Sequence, residues 1–125
     1  MNWLTYTLVG LAAFIFGIFI FSFFQAKKAS IKLETEEFKK NMRKGQLVDV
    51  RSKQEFKSGH INGARNISIQ MIAREYQKLR KDLPIYLYCA SGSRSNRAAV
   101  YLRSKGYVEV YQLKNGLKNW NGPLK

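Results

Sequence analysis

The sequence predicts an α/β domain with a largely parallel sheet flanked by helices, preceded by one transmembrane helix. Three observations carry this. Residues 1 to 26 hold no charged side chain, while all 22 Lys and Arg and all 8 Asp and Glu fall in residues 27 to 125. In that second part, short β-rich runs alternate with helix-like runs, the pattern of parallel strands joined by crossover helices. The single cysteine, Cys89, follows a hydrophobic run and precedes a helical one. It therefore sits at the carboxyl end of a strand, where such folds bind ligands. The expected division is an anchor over 1–26, a linker over 27–30 and a domain over 31–125, long enough to bury a core though small for one.

The run "WLTYTLVGLAAFIFGIFIFSFF", residues 3–24, is apolar and uncharged. A helix rises about 1.5 Å per residue and a bilayer core is about 30 Å thick, so roughly 20 residues are needed to cross. Trp3 and Tyr6 lie near one end, as interfacial aromatics do. A cleaved signal peptide is the alternative, but no basic segment precedes the run and "FSFFQAKKAS" is a poor cleavage site. Lys27, Lys28 and Lys32 follow the run and no Lys or Arg precedes it. The positive-inside rule then makes this a single-pass cell-membrane protein with the N-terminus outside and the domain in the cytoplasm. One cysteine excludes an intramolecular disulfide and agrees with a reducing compartment.

Each element has its own signal. "IKL", 31–33, reads as a short strand. "TEEFKKNMRKG", 35–45, reads as a helix with acidic Glu36 and Glu37 first, Arg43 and Lys44 last, and Gly45 at its end. Its N-cap is Thr35 or, by position, Glu34. "QLVDVR", 46–51, is β-rich and buried in character. "SKQEFKSG", 52–59, is a short helix in which Ser52 and Glu55 have capping-box spacing and Gly59 stops it. After an Asn-Gly turn a strand covers about 65–69. "QMIAREYQKLR", 70–80, puts Ile72, Tyr76 and Leu79 on one helical face. "PIYLYCA" is a strand, "SNRAAVYLRSKG" a helix closed by Gly106, and "YVEVYQL", 107–113, an alternating strand. "NGLKNWNGPLK" is a turn and a short helical end.

Between Cys89 and Arg94 lie Ala90, Ser91, Gly92 and Ser93, none of them bulky. Such a loop can turn its backbone N–H groups inward as an anion nest. The helix that starts near Ser93 or Arg94 adds positive potential. Both favour the thiolate, and Arg94 offers planar donors to an oxyanion or to charge developing at the sulfur. The layout fits a nucleophilic cysteine in an anion cradle; the alternative is an inert core cysteine. One Cys and one His without ligand spacing give no metal site. His60, in a Gly-flanked turn, fits a structural hydrogen-bonding role. The net charge of +14 suggests an anionic partner, nucleic acid, lipid headgroups or an anionic substrate; the plainer alternative, a solvated basic surface beside an anionic membrane, is the favoured one. The aromatics lie in the anchor and at core-like positions, not interleaved with Arg, so no nucleic acid is expected.

These residues resemble the rhodanese family of sulfurtransferases over about 31–122. "LVDVRSKQEFKSGHINGARNI" resembles the upstream signature, with Asp49, Arg51, Glu55, Phe56, Gly59, His60, Ile61, Gly63, Ala64 and Asn66 at its positions. "YCASGSRSNRAAVYLRSKGY" resembles the active-site loop and its helix, and "NGLKNW", with Gly116 and Trp120, the closing motif. The resemblance implies a rhodanese-like fold and a sulfurtransferase that needs no cofactor. Cys89 matches the cysteine that becomes a persulfide. Ala90, Ser91, Gly92, Ser93, Arg94 and Ser95 match the substrate-binding loop and helix start. Asp49 would fix Arg94 or another cation, or be structural; Arg51 and Glu55 would form a local ion pair and cap; His60 would order its turn. The implied partners are a small anionic sulfur donor and a thiol acceptor, the membrane through residues 3–24, and, as a further candidate, a protein.

Two positions depart from the family. Ala90 stands where many members have a basic residue, which bears on donor choice, and Asn62 replaces a proline. A related phosphatase branch spaces its Cys and Arg by five residues; here the spacing is four, a tighter ring suited to sulfur rather than phosphate. Another class of reading keeps the same Cys89 but makes the chain a membrane-tethered sulfur carrier or redox-sensing module acting on a protein partner.

Overall fold

The computed structural model describes residues 2–28 and 30–125, with side chains described to Phe23 and again from Ser30. Helix α1, Trp3–Lys28, contains one stretch, Trp3–Phe23, long and apolar enough to cross a bilayer, and among the described residues none of that stretch is buried. The apolar side chains, Phe14, Phe16, Phe19 and Phe21 among them, are exposed all round. Such a helix has no polar face to give water.

The rest is a five-stranded sheet, all parallel, in the order β1-β5-β4-β2-β3: β1 Ile31–Leu33, β2 Gln46–Asp49, β3 Arg65–Asn66, β4 Ile85–Tyr88 and β5 Val110–Leu113. The central β4 pairs Tyr88 with Asp49 and Leu87 with Gln112. The carboxyl ends of the strands are therefore level. Alternation along β4 divides the core. Ile85, Leu87 and Cys89 face α4, Ile72–Glu75, and α5, Ser93–Ser104, where Ile72, Ala98, Ala99 and Leu102 are buried. Tyr86 and Tyr88 face α2, Thr35–Asn41, meeting Phe38, Met42, Leu47 and Leu113. Phe38 and Tyr86 contact edge to face with centroids 5.7 Å apart. Fully burying side chains of this size stabilises by roughly 1.5–3 kcal/mol each.

Several elements are shorter than their patterns. The N-cap of α2 is Glu34, not Thr35, and its last turn tightens to a 3-10 turn, Met42–Lys44. Gly45 follows because a Cβ there would strike the Pro84 carbonyl. The strand expected over 65–69 keeps ladder geometry only at Arg65 and Asn66. Ile67 and Ile69 still donate to Asp49 and Val50 carbonyls but diverge from the ladder. The helix expected over 70–80 is one α turn followed by a 3-10 turn, Tyr76–Lys78, although Ile72 and Leu79 are buried as their spacing predicts. Tyr107 does not open β5, because its N–H closes α5 on Leu102 O. Helix α3, Lys53–Ser58, has its full capping box: Glu55 N–H donates to Ser52 Oγ and Ser52 N–H to Glu55 Oε1.

Candidate active site

Cys89 is the first residue after β4, and the strand's alternation turns its side chain into the α5 side of the core, where it is wholly buried. The loop then folds over the sulfur. Gly92 N–H donates to Sγ at 2.9 Å and Ser95 N–H at 3.4 Å, with Ser95 Oγ 3.5 Å away. Gly92 sits at φ +109 as the cap residue of α5, a conformation that favours glycine. Burial pushes the Cys89 thiol up, but hydrogen bonds from Ser95 Oγ and from the backbone of Ser95, Gly92 and Ser91 outweigh it, so the thiol lies below its ordinary range. The thiolate is the reactive form.

The N–H groups converge because the loop's carbonyls are engaged elsewhere. A 3-10 turn, Gly116–Asn119, follows β5, and its Leu117 and Lys118 N–H groups take the Cys89 and Ala90 carbonyls at 2.9 and 3.1 Å. A peptide plane points its carbonyl and N–H in opposite directions, so the Ala90 and Ser91 N–H groups turn to the inner side of the loop, and that of Ser91 joins those that hold the thiol low. Gly116 makes this close approach possible: its φ is +59, and a Cβ there would collide with the Cys89 carbonyl.

Arg94 is committed to Glu55, donating Nη1 to Oε1 at 2.6 Å and Nη2 to Oε2 at 3.0 Å. Those bonds hold the Glu55 carboxyl well down, at about 2, with help from Ser52. Glu55 is thus both cap and loop clamp. The expected Arg51–Glu55 pair is replaced by two others. Arg51 pairs with Asp49, Nη2 to Oδ2 at 2.8 Å, and its Nη2 also donates to Gly59 O at 2.5 Å. Asp49 does not fix Arg94. Asn66 Nδ2 completes this second unit by donating to the Asp49 and Arg51 carbonyls. His60 stacks on Phe56 with centroids 3.7 Å apart, and its Nδ1 lies 2.8 Å from Phe56 O. Its ring contacts are local to this stretch, while its main chain exchanges hydrogen bonds with Lys125.

Gly92 O at 3.0 Å and Gln112 Oε1 at 3.2 Å are alternative acceptors for the one Ser95 Oγ proton when it is not given to the sulfur, and Gln112 Nε2 donates to Asn96 Oδ1. Gln112 was silent in the sequence; its only signal is a polar residue in a buried strand. Beside the loop lies a cavity of about 310 Å³ lined by Ser91–Ser93, Asn96, Gln112 and Lys114. Lys32 borders it as well.

Residues 34–123 match the model of the Rhodanese-like domain family. The chain is 44% identical over 118 residues to the uncharacterized protein YqhL of Bacillus subtilis, covering 94% of this chain and 93% of that one. It is 36% identical over 76 residues to the thiosulfate sulfurtransferase GlpE of Shewanella oneidensis, covering 61% of this chain and 75% of that one. Among solved structures, a rhodanese-like domain protein from Staphylococcus aureus superposes with a TM-score of 0.67 at 30% identity, covering 77% of this chain and 95% of that one.

Proposed function

This chain belongs to the rhodanese-like domain family, and from that premise we propose that it is a membrane-anchored sulfurtransferase working through a persulfide on Cys89. Sulfurtransferase-type chemistry is what the family and the relatives named thiosulfate sulfurtransferase support. The finer reading rests on one observation above all: backbone N–H groups of Gly92 and Ser95 converge on a buried sulfur, and the thiol is shifted toward thiolate.

The Cys89 thiolate attacks the outer sulfur of an anionic donor, thiosulfate or a persulfide. With thiosulfate the S–S bond breaks and sulfite leaves with the bonding electron pair. The new sulfur carries the negative charge, and the loop N–H groups cradle it. A thiolate acceptor, or cyanide in an assay, then takes that terminal sulfur and releases the Cys89 thiolate. No external oxidant or reductant enters either step. The cavity beside the loop suits a small anion, with Lys32 and Lys114 at its border.

For the anchor, the support is the length and apolar character of Trp3–Phe23. The likeness to the Bacillus subtilis protein covers 94% of this chain and so extends into that helix. The flanking lysines favour a cytoplasmic domain with the N-terminus outside.

The test is the full chain in detergent, incubated with thiosulfate or a glutathione persulfide and followed by intact mass and thiocyanate release. A one-sulfur mass gain and thiocyanate, both absent in Cys89→Ser, are expected. No persulfide from either donor would overturn the enzyme reading and favour a carrier or sensor acting on a protein partner.

A further inference from the structure

Parallel topology gathers the amino ends of all five strands at one edge of the domain, opposite Cys89. The segments that meet there are basic. Arg43 and Lys44 precede β2, Arg80 and Lys81 lie in the loop entering β4, and Arg103 and Lys105 lie at the end of α5 before β5. Only Asp82 and Glu109 oppose them in these segments, and Asp82 is already paired with Arg80. The segments touch one another. Gln46 exchanges hydrogen bonds with the Arg80 backbone, Ile85 N–H donates to Glu109 O, and Lys81 Nζ reaches toward Gly106 and lies 5.7 Å from the Tyr107 ring. Among them Val108 stands 67% exposed. By contrast, Glu34, Glu36, Glu37, Asp49 and Glu55, five of the eight carboxylates, belong to the opposite end, where α2 and α3 begin and β2 finishes. Helix-dipole balance accounts for cations that end a helix, but not for Arg80 and Lys81.

The anchor's exit lies at the same edge. Ile31 is the first residue of β1, and α1 ends at Lys28. Three residue steps span at most about 11 Å, so the amino end of β1 stays close to the helix end. We propose that this strand-entry edge, with its six basic residues and the exposed Val108, docks on anionic phospholipid headgroups and holds Cys89 on the side of the domain away from the bilayer. The inference rests on Trp3–Phe23 crossing a membrane. Each Lys or Arg near an anionic surface favours binding about fivefold, and the exposed aliphatics Val108 and Ile31 on a basic edge suit the headgroup boundary. Four strand residues at about 3.3 Å each put the sulfur some 13 Å beyond the docked edge.

The test is hydrogen–deuterium exchange on the full chain in nanodiscs of phosphatidylcholine alone and with phosphatidylglycerol added. Slower exchange over 43–46, 80–85 and 103–109 in anionic discs only, reversed by high salt, is the expected result. A Lys44→Gln, Lys81→Gln, Lys105→Gln variant should lose that protection while keeping its thiocyanate release in detergent. Equal exchange in both lipids with the chain still in the disc would overturn the docking and leave the anchor standing. A chain that never enters discs would overturn both. Protection that appears only with added single-stranded RNA would overturn it in favour of a nucleic-acid face.

Discussion

Glu55 and Arg94 lie 39 residues apart and meet through two hydrogen bonds of 2.6 and 3.0 Å. One carboxylate thus caps α3 through Ser52 and fixes the end of the cysteine loop. In Glu55→Gln, Arg94 loses its charged partner. The pair is partly exposed, so stability should fall by less than about 1 kcal/mol, whereas displacement of the loop should slow sulfur transfer roughly 10–100-fold. Thermal melts beside thiocyanate rates check this; equal small effects on both would refute the clamp.

The same pair has a pH signature. The folded Glu55 carboxyl is depressed to about 2, mainly by Arg94, against an ordinary value near 4.3. Its contribution is therefore present in full above about pH 4.5 and is lost as pH falls toward 2. Denaturant titrations should show a constant gap between wild type and Glu55→Gln from pH 7 to about 5, closing below that.

Ser95→Ala removes the hydroxyl nearest Sγ and one of the bonds that hold the thiol low. The thiol should move up, so the thiolate fraction at pH 7 falls. Thiolate absorbance and alkylation rates against pH report the change. An unmoved titration curve would show that the backbone alone sets the thiolate.

Gly116→Ala and Gly92→Ala separate space from conformation. At Gly116 a Cβ meets the Cys89 carbonyl and φ is positive, so a loss of about 2–3 kcal/mol is expected. At Gly92 there is room and only φ opposes the substitution, so the cost should be about 1–2 kcal/mol. Activity should be lost in both, because both displace the N–H groups over the sulfur. Chemical denaturation and transfer assays distinguish the two.

Asp49→Asn leaves Arg51 with a neutral partner in a buried place, which should destabilise by about 3–5 kcal/mol. If instead the variant melts with wild type, the buried pair is dispensable and only the Asn66 bonds hold the turn.

Much of this was legible in the chain itself. The strand and helix order, the buried face of Ile72 and Leu79, the Ser52–Glu55 box and the cysteine loop all follow from local pattern, because each is set by residues within one element. The pairings of Arg94 and Arg51 are not local. Glu55 has the spacing of a cap, and nothing in its neighbourhood signals a second partner 39 residues away. Asp49 ends β2 and Arg51 follows two residues on, yet which cation each carboxylate takes depends on how the 59–66 turn folds back on β2. Gln112 and Gly116 acquire their roles only when β5 is laid beside β4. Short strands also misled: Ile67 and Tyr107 are buried as the patterns suggest, but Val108 is exposed, and the backbone bonds of Ile67, Ile69 and Tyr107 go to the end of β2 and to a helix end.

The cradle around Cys89 is made largely of main chain, held by the N–H groups of Leu117 and Lys118 and by Gly92's left-handed turn. Main-chain groups do not change when side chains do. On the proposed reading, Ala90, Ser91 and Ser93 can therefore vary without altering how the transferred sulfur is held, leaving their side chains to choose the donor. Chemistry and recognition are thus written in separate alphabets over the same few residues. A library at positions 90, 91 and 93 should shift donor preference over a wide range while the stability and the thiolate of Cys89 stay nearly constant.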